Sequence, residues 1–391
     1  MQLTKEQQKM LDNEMGEASA QAMQILVALG KIYGAKNMIP VTSVQVAGVS
    51  YKTIGDAGLE YLQDYASKNA KVRVPTFLNP AGMDREQWRK MKVPEQFAKK
   101  QIEILDAFKS MGISMSCTCT PYLVGIRPKL GEHIAWAESS AVAFANSVLG
   151  ARTNREGGPS ALAAAICGFT PNYGLHLDEN RISDFAVKVE ANPKTFADFG
   201  ALGSFVGKKA KKHFLAFTGI EKISEDELKI LGASMAASGA VPLYYVKNIT
   251  PEFKLSENAE EITITDDDIK NEREILNSKE PPQLITMGCP HASIDEIKKV
   301  ANLLKGKKLK CELWVCAARK TKQKAAELGY VKIIEDAGGI VVADTCMVVS
   351  PLTDMGFSCT GCNSGKAAKY LQSLGKQKVV FGDIDDIILL K

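Results

Sequence analysis

Between residues 283 and 346 the chain alternates in a way that few architectures accommodate: QLITMGCPHASIDEIKKVANLLKGKKLKCELWVCAARKTKQKAAELGYVKIIEDAGGIVVADTC. A short apolar run at 284–287 leads into helical periodicity over 294–304. A second run at 311–315 leads into a helix over 320–328, and a third run follows at 339–344. Strands and helices in this order and spacing predict βαβ units on a parallel sheet, because a parallel strand needs a crossover connection to return. Ser293 with Glu296 supplies a capping box for the first helix, and Gly338-Gly339 is a helix stop before the third run.

The first half reads as more helical. Apolar periodicity predicts helices over 18–34, 54–66 and 96–111, and Thr4-Lys5-Glu6-Gln7 opens a capped helix. MIPVTSVQV (38–46) and MGISMSC (111–117) read as strands between them. The style changes at the basic stretch GKKAKKH (207–213), so we divide the chain into a helix-rich α/β region, 1–207, and an α/β region with βαβ units, 208–391. Segment 248–274 reads as a polar connection and an exposed helix start. With 391 residues, 45% of them hydrophobic, the chain can bury a large core. The net charge of +4 is small and the basic residues are interspersed with acidic ones, which argues against nucleic acid as a partner. Apolar stretches such as SALAAAICGF (160–169) fall short of the roughly 20 residues that a bilayer span needs, and no signal-like segment precedes the first helix, so a cytoplasmic location without a membrane partner is expected.

Nine cysteines in such a chain read as thiols or metal ligands rather than a disulfide framework. Open α/β sheets bind ligands beyond the carboxyl ends of their strands, and three cysteines meet that test: Cys119, Cys289 and Cys346. Each has two readings, a buried thiol or a ligand. Cys289 in GCPHAS stands before a predicted helix N-terminus, where backbone N–H groups would favour a thiolate. Cys117 shares a strand face with Cys119 and could line the same pocket. Cys167, Cys311 and Cys316 lie in apolar runs and read as core. Cys359-Thr-Gly-Cys362 is half of a zinc site or a redox pair, which keeps a non-catalytic zinc-binding scaffold as an alternative.

Two glycine-flanked helix starts could hold anions. In ARTNREGGPSALAAAICG (151–168), Arg152, Asn154, Arg155 and Glu156 precede Gly157-Gly158-Pro159-Ser160; plain surface arginines on a turn are the other reading. GCNSGKAAKYL (361–371) places Ser364 and Lys366 at a second helix start, but its glycine spacing and Ala367 exclude a magnesium-binding Walker loop. A serine hydrolase finds no support: the chain has four histidines and no GxSxG elbow, and His291 stands only two residues from Cys289.

The stretches GVSYKTIGDAGLEYL (48–62), CTPYLVG (119–125), WAESSAVAFANSVLGARTNREGGPSALAAAICGFTPNYGLHL (136–177), GCPH (288–291), ADTC (343–346) and NSGKAAKYL (363–371) resemble the aconitase X family over nearly the whole chain. The resemblance implies aconitase-like α/β/α domains without the small swivelling domain. It also implies a hydro-lyase. The archaeal two-subunit branch dehydrates (R)-5-phosphomevalonate to trans-anhydromevalonate 5-phosphate in isoprenoid precursor synthesis; other members dehydrate cis-3-hydroxy-L-proline or another hydroxy acid. The iron-binding cysteines of the family fall on Cys119, Cys289 and Cys346, implying a [4Fe–4S] cluster with one open iron as Lewis acid. Cys117, Cys359 and Cys362 keep a [2Fe–2S] cluster or mononuclear iron open. The base would be a serine on a small subunit carrying the swivelling domain. The phosphorylated hydroxy-acid substrate would then be held by the two loops above, with Ser50, Tyr51 and Asn79 as neighbours.

Overall fold

The computed structural model describes residues 1–210, 213–278 and 280–389. Its framework is three parallel sheets. The first has three strands in the order Thr76–Leu78, Val44–Val46, Ala135–Trp136. The second has four, Tyr244–Val246, Leu215–Thr218, Ser183–Val189, Leu255–Ile264. The third has five, Ile340–Ala343, Glu312–Ala317, Leu284–Met287, Cys359–Cys362, Lys378–Phe381. A two-stranded antiparallel pair, Met38–Pro40 with Phe169–Pro171, flanks the first.

The expected βαβ run is present. Helices Ile294–Leu304, Arg319–Glu327 and Tyr330–Asp336 connect strands Leu284–Met287, Glu312–Ala317 and Ile340–Ala343. Ser293 caps the first helix by accepting from the Glu296 N–H, while the Glu296 carboxylate accepts from the Ser293 N–H. The buried face of that helix (Ile297, Val300, Ala301, Leu304) packs with Ile285, Met287, Leu313, Val315 and Val341 from alternate positions of the strands. Burying such side chains contributes about 1.5–3 kcal/mol each, which is what holds a helix of this length in place. In the second unit, helices Phe196–Ala210 and Glu225–Gly239 approach so closely that a Cβ on Gly203 would stand 2.6 Å from the Leu231 carbonyl oxygen.

Four expectations change. The segment 38–46 splits at Val41–Ser43 into two strands that belong to different sheets. The segment 111–117 makes one bridge, Ser114 with Phe77, and then turns through Cys117, whose φ of 41° ends any strand alternation. The segment 248–274 contains a ten-residue strand, Leu255–Ile264, before the helix Asp266–Ile275. This strand is at the edge of its sheet, where charged side chains reach water, so its composition resembled a loop. The division at 207/208 falls within the helix Phe196–Ala210; Lys211 and Lys212 of the basic stretch lie outside the described residues.

Candidate active site

The first and third sheets present the carboxyl ends of their strands to one cavity of about 250 Å³. Asn79 follows Thr76–Leu78, Glu138 follows Ala135–Trp136, Cys289 follows Leu284–Met287 and Cys346 follows Ile340–Ala343. Cys119 enters from the loop before the short helix Pro121–Val124. Lys366 comes from the first turn of Gly365–Ser373, the helix after Cys359–Cys362, and Tyr370 from one turn further on. Arg155 adds an exposed guanidinium, and Ala47, Pro80, Ala137, Val348 and Val349 supply apolar wall.

The charges inside are paired. The Lys366 ammonium donates to Glu138 Oε1 at 2.5 Å and to Ser140 Oγ at 2.9 Å, and Asn79 Nδ2 donates to Glu138 Oε2 at 2.7 Å. Burial acts to raise the Glu138 carboxyl, but Lys366, Asn79 and the Ser140 N–H outweigh it and hold the group at about 2. Burial acts to lower Lys366, and Glu138 reverses that direction. The thiols go the other way: burial pushes Cys119 up to about 12 and raises Cys289 and Cys346, with Lys366 only partly offsetting it. Thiols buried this way give up their protons only to a cation placed against them.

The donor set of three thiols, enclosed by apolar wall, suits a thiolate-bound iron–sulfur group. All three thiols line this cavity; among the described residues, no three His, Cys, Asp or Glu side chains are grouped to hold a metal ion. The buried Asn79 Oδ1 has no hydrogen-bond partner among the described residues.

The Cys346 segment is gripped from the first sheet's side. Ser50 Oγ donates to the Val349 carbonyl at 2.8 Å, and Lys52 Nζ donates to the carbonyls of Val348 and Ser350 at 3.2 and 2.9 Å. Fully buried Asp344 accepts from Arg85 Nε at 2.8 Å and from Arg319, which also donates to Asp84 at 2.9 Å. These ion pairs tie residues 84–85 to the third sheet, and a buried pair of this kind is costly to break from one side.

Of the twelve residues proposed to hold substrate, Asn79, Arg155 and Lys366 line the cavity. Ser50 and Ser364 stand behind the wall: Ser364 caps its helix by accepting from the Ala367 N–H at 3.2 Å and donates to the Cys289 carbonyl. Tyr51 turns away, its hydroxyl on Asp56 at 3.2 Å. Arg152 is committed to Glu252, with Nη1 and Nη2 each 2.9 Å from a carboxylate oxygen, and to Asp178. Asn154 bridges the Tyr173 carbonyl and the Leu175 N–H. Buried Glu156 accepts from Ser160 at 2.5 Å and Thr170 at 3.0 Å; Gly157 caps the helix Gly158–Cys167, with its N–H donating to Ser160 Oγ. Gly158 lines a separate, apolar cavity with Ile54, Tyr61 and Phe108. The 151–160 loop thus spends most of its polar groups on its own fold, because a buried arginine or glutamate needs a fixed partner.

The other thiols are also placed. Cys117 is buried but does not line the cavity. Cys289 does not cap a helix, since the next one begins at Ile294. Cys359 and Cys362 lie three apart on one strand and so face opposite ways, Cys359 into the core with Ile285 and Val380 and Cys362 into the core with Trp314 and Phe381. That geometry denies them a common metal. Cys167 and Cys316 are core residues, as expected, whereas Cys311 is partly exposed. Glu138 was missed, although it follows a strand directly, the same criterion that selected the cysteines.

Comparison with known proteins identifies the family. Three family models match: aconitase X first domain over residues 1–179, second domain over 183–274 and third domain over 282–390. The phosphomevalonate dehydratase large subunit of Methanocaldococcus jannaschii is 54% identical over 99% of both chains. The cis-3-hydroxy-L-proline dehydratase of Pseudomonas aeruginosa is 31% identical over 96% of this chain and 67% of its own length. The crystal structure of Thermococcus kodakaraensis aconitase X in its holo-form superposes with a TM-score of 0.94 at 48% identity, covering 99% of both chains. No helix among the described residues is long and apolar enough to cross a membrane. With the family models, these relatives and the fold in agreement, the chain belongs to the aconitase X family.

Proposed function

We propose that this chain is the large subunit of a hydro-lyase that removes water from (R)-5-phosphomevalonate to give trans-anhydromevalonate 5-phosphate, with Cys119, Cys289 and Cys346 holding an iron–sulfur cluster. The observation that carries the reading is one cavity lined by these three thiols together with Lys366 and Arg155, in a chain 48–54% identical to large subunits named for that dehydration.

When bound, such a cluster supplies a Lewis acid to the departing hydroxyl through an iron without a protein ligand. The chain's own residues bind and orient. Arg155, exposed at the cavity and without an assigned partner among the described residues, offers a two-pronged donor to a carboxylate or phosphate. Lys366 and Glu138 form a fixed dipole beside the thiols, and Asn79 keeps an acceptor free for a substrate or water proton. The apolar wall of Ala47, Pro80, Ala137, Val348 and Val349 lowers the polarity around these groups, which strengthens each of these interactions. The proton on the carbon next to the carboxylate leaves to a base contributed by a small-subunit partner, a partner that the relatives' names imply.

The test is an anaerobic assay with the small subunit. Conversion of phosphomevalonate that requires both chains and iron supports the reading. Turnover of cis-3-hydroxy-L-proline instead, or zinc without sulfide at the site, would replace it.

A further inference from the structure

The Cys289 loop carries a histidine that the chemistry above does not use. His291 is fully buried, and three of its polar groups reach the other two cysteine segments. Its backbone N–H donates to Cys119 Sγ at 3.2 Å. Ring Nε2 lies 2.9 Å from the carbonyl oxygen of Thr345, the residue before Cys346. Ring Nδ1 lies 3.0 Å from the hydroxyl of Thr118, the residue before Cys119.

The directions of these bonds follow from one another. A carbonyl only accepts, so Nε2 carries the proton and Nδ1 is the acceptor. Thr118 then donates to Nδ1, and its oxygen accepts from the Thr120 N–H at 3.1 Å. Neither ring nitrogen can be exchanged without breaking a bond at a fully buried residue. Ser364 holds the Cys289 carbonyl, and Ser50 and Lys52 hold the Cys346 segment, each from one side. His291 connects the three thiol-bearing segments to each other. It does not line the cavity, so it acts through the cysteines and not on substrate.

We propose that His291 is a positioning residue that presets Cys119, Cys289 and Cys346 at the spacing of their shared iron–sulfur group; this rests on the reading of those cysteines as ligands. Outer partners that orient metal ligands are worth about 10–100-fold in metal affinity.

The experiment compares wild type with His291→Ala, Thr118→Val, Cys346→Ala and, as a control for losing a buried histidine away from the cavity, His176→Asn. Each chain is reconstituted anaerobically with iron and sulfide, and three quantities are read: iron and acid-labile sulfide per chain, the rate of iron loss to a chelator, and the electron paramagnetic resonance spectrum. Expected are about 10–100-fold faster iron loss in His291→Ala, an altered spectrum with iron still bound in Thr118→Val, and wild-type loading in His176→Asn. Wild-type loading, chelator resistance and spectrum in His291→Ala overturn the inference while leaving the ligand reading intact. Should His291→Ala fail to fold, Thr118→Val, which preserves the ring and nearly all the volume, decides by the same criteria. Absence of iron and sulfide from wild type and Cys346→Ala alike overturns the ligand reading, and the inference with it.

Discussion

Lys366→Met tests the electrostatic account of the cavity most directly. The Glu138 carboxyl is held at about 2 against an ordinary 4.5, although burial alone acts to raise it, and Lys366 is the largest of the groups that lower it. That gap corresponds to about 3 kcal/mol of stability at neutral pH. A depressed carboxylate contributes fully above its unfolded value of 4.5, and the contribution is lost as pH falls from there toward 2. Removing the ammonium leaves a carboxylate inside the protein with Asn79 and Ser140 but no cation, so Glu138 rises above its ordinary value and the folded state loses about 3–5 kcal/mol. Pairing the change with Glu138→Gln removes the stranded charge and should recover more than half of that loss. The assay is a double-mutant cycle in urea, followed by tryptophan emission, since Trp136 lies on the strand that ends beside Glu138. A loss below about 1 kcal/mol in Lys366→Met, or a double variant no better than the single, would refute the claim that the pair sets the charge of the cavity.

The two arginines of the 151–160 loop should separate: Arg155→Ala should raise KM about 10–100-fold with the melting temperature unchanged, whereas Arg152→Met should cost about 3–5 kcal/mol of stability and leave KM alone. Burial lowers His176 to about 3 from an ordinary 6.5, so the unfolded chain binds that proton first and stability falls as pH drops through this window, by up to about 5 kcal/mol. His176→Asn should flatten that limb of a stability-versus-pH curve. Cys359→Ser should leave the metal content of the purified chain unchanged, since Cys359 and Cys362 face opposite sides of their sheet, while Cys346→Ala should abolish it.

Much of the third sheet was legible because its signals are local. Apolar runs of four to six residues, a capping box at Ser293 and glycines at 338–339 are read within one turn or one strand, and the strands Leu284–Met287, Glu312–Ala317 and Ile340–Ala343 with the helices Ile294–Leu304 and Arg319–Glu327 lie within a residue or two of the expected bounds, whereas the helix Tyr330–Asp336 and the strands Cys359–Cys362 and Lys378–Phe381 were not expected. That Cys289 and Cys346 stand beyond strand ends was legible for the same reason, since the carboxyl ends of parallel strands share one side of a sheet; Cys119 follows no strand, and only the loop after the single Ser114 bridge brings it to the same cavity. The edge strand Leu255–Ile264 was not, because a strand with one free edge carries charges that in sequence mark a loop.

Tertiary structure alone decided which side chains meet. Arg152 and Arg155 are three apart and alike in sequence, yet one is consumed by Glu252, about a hundred residues away, and the other faces the cavity. Glu138 and Lys366 are separated by 228 positions and are fully intelligible only as a pair. His291 read as a failed partner for Cys289, and its bonds to Thr118 and Thr345 become visible only when three loops close on it. The physical reason is common to all three cases. Periodicity and capping are set by neighbours along the chain, whereas the state of a buried polar group is set by whichever partner the fold brings within about 3 Å.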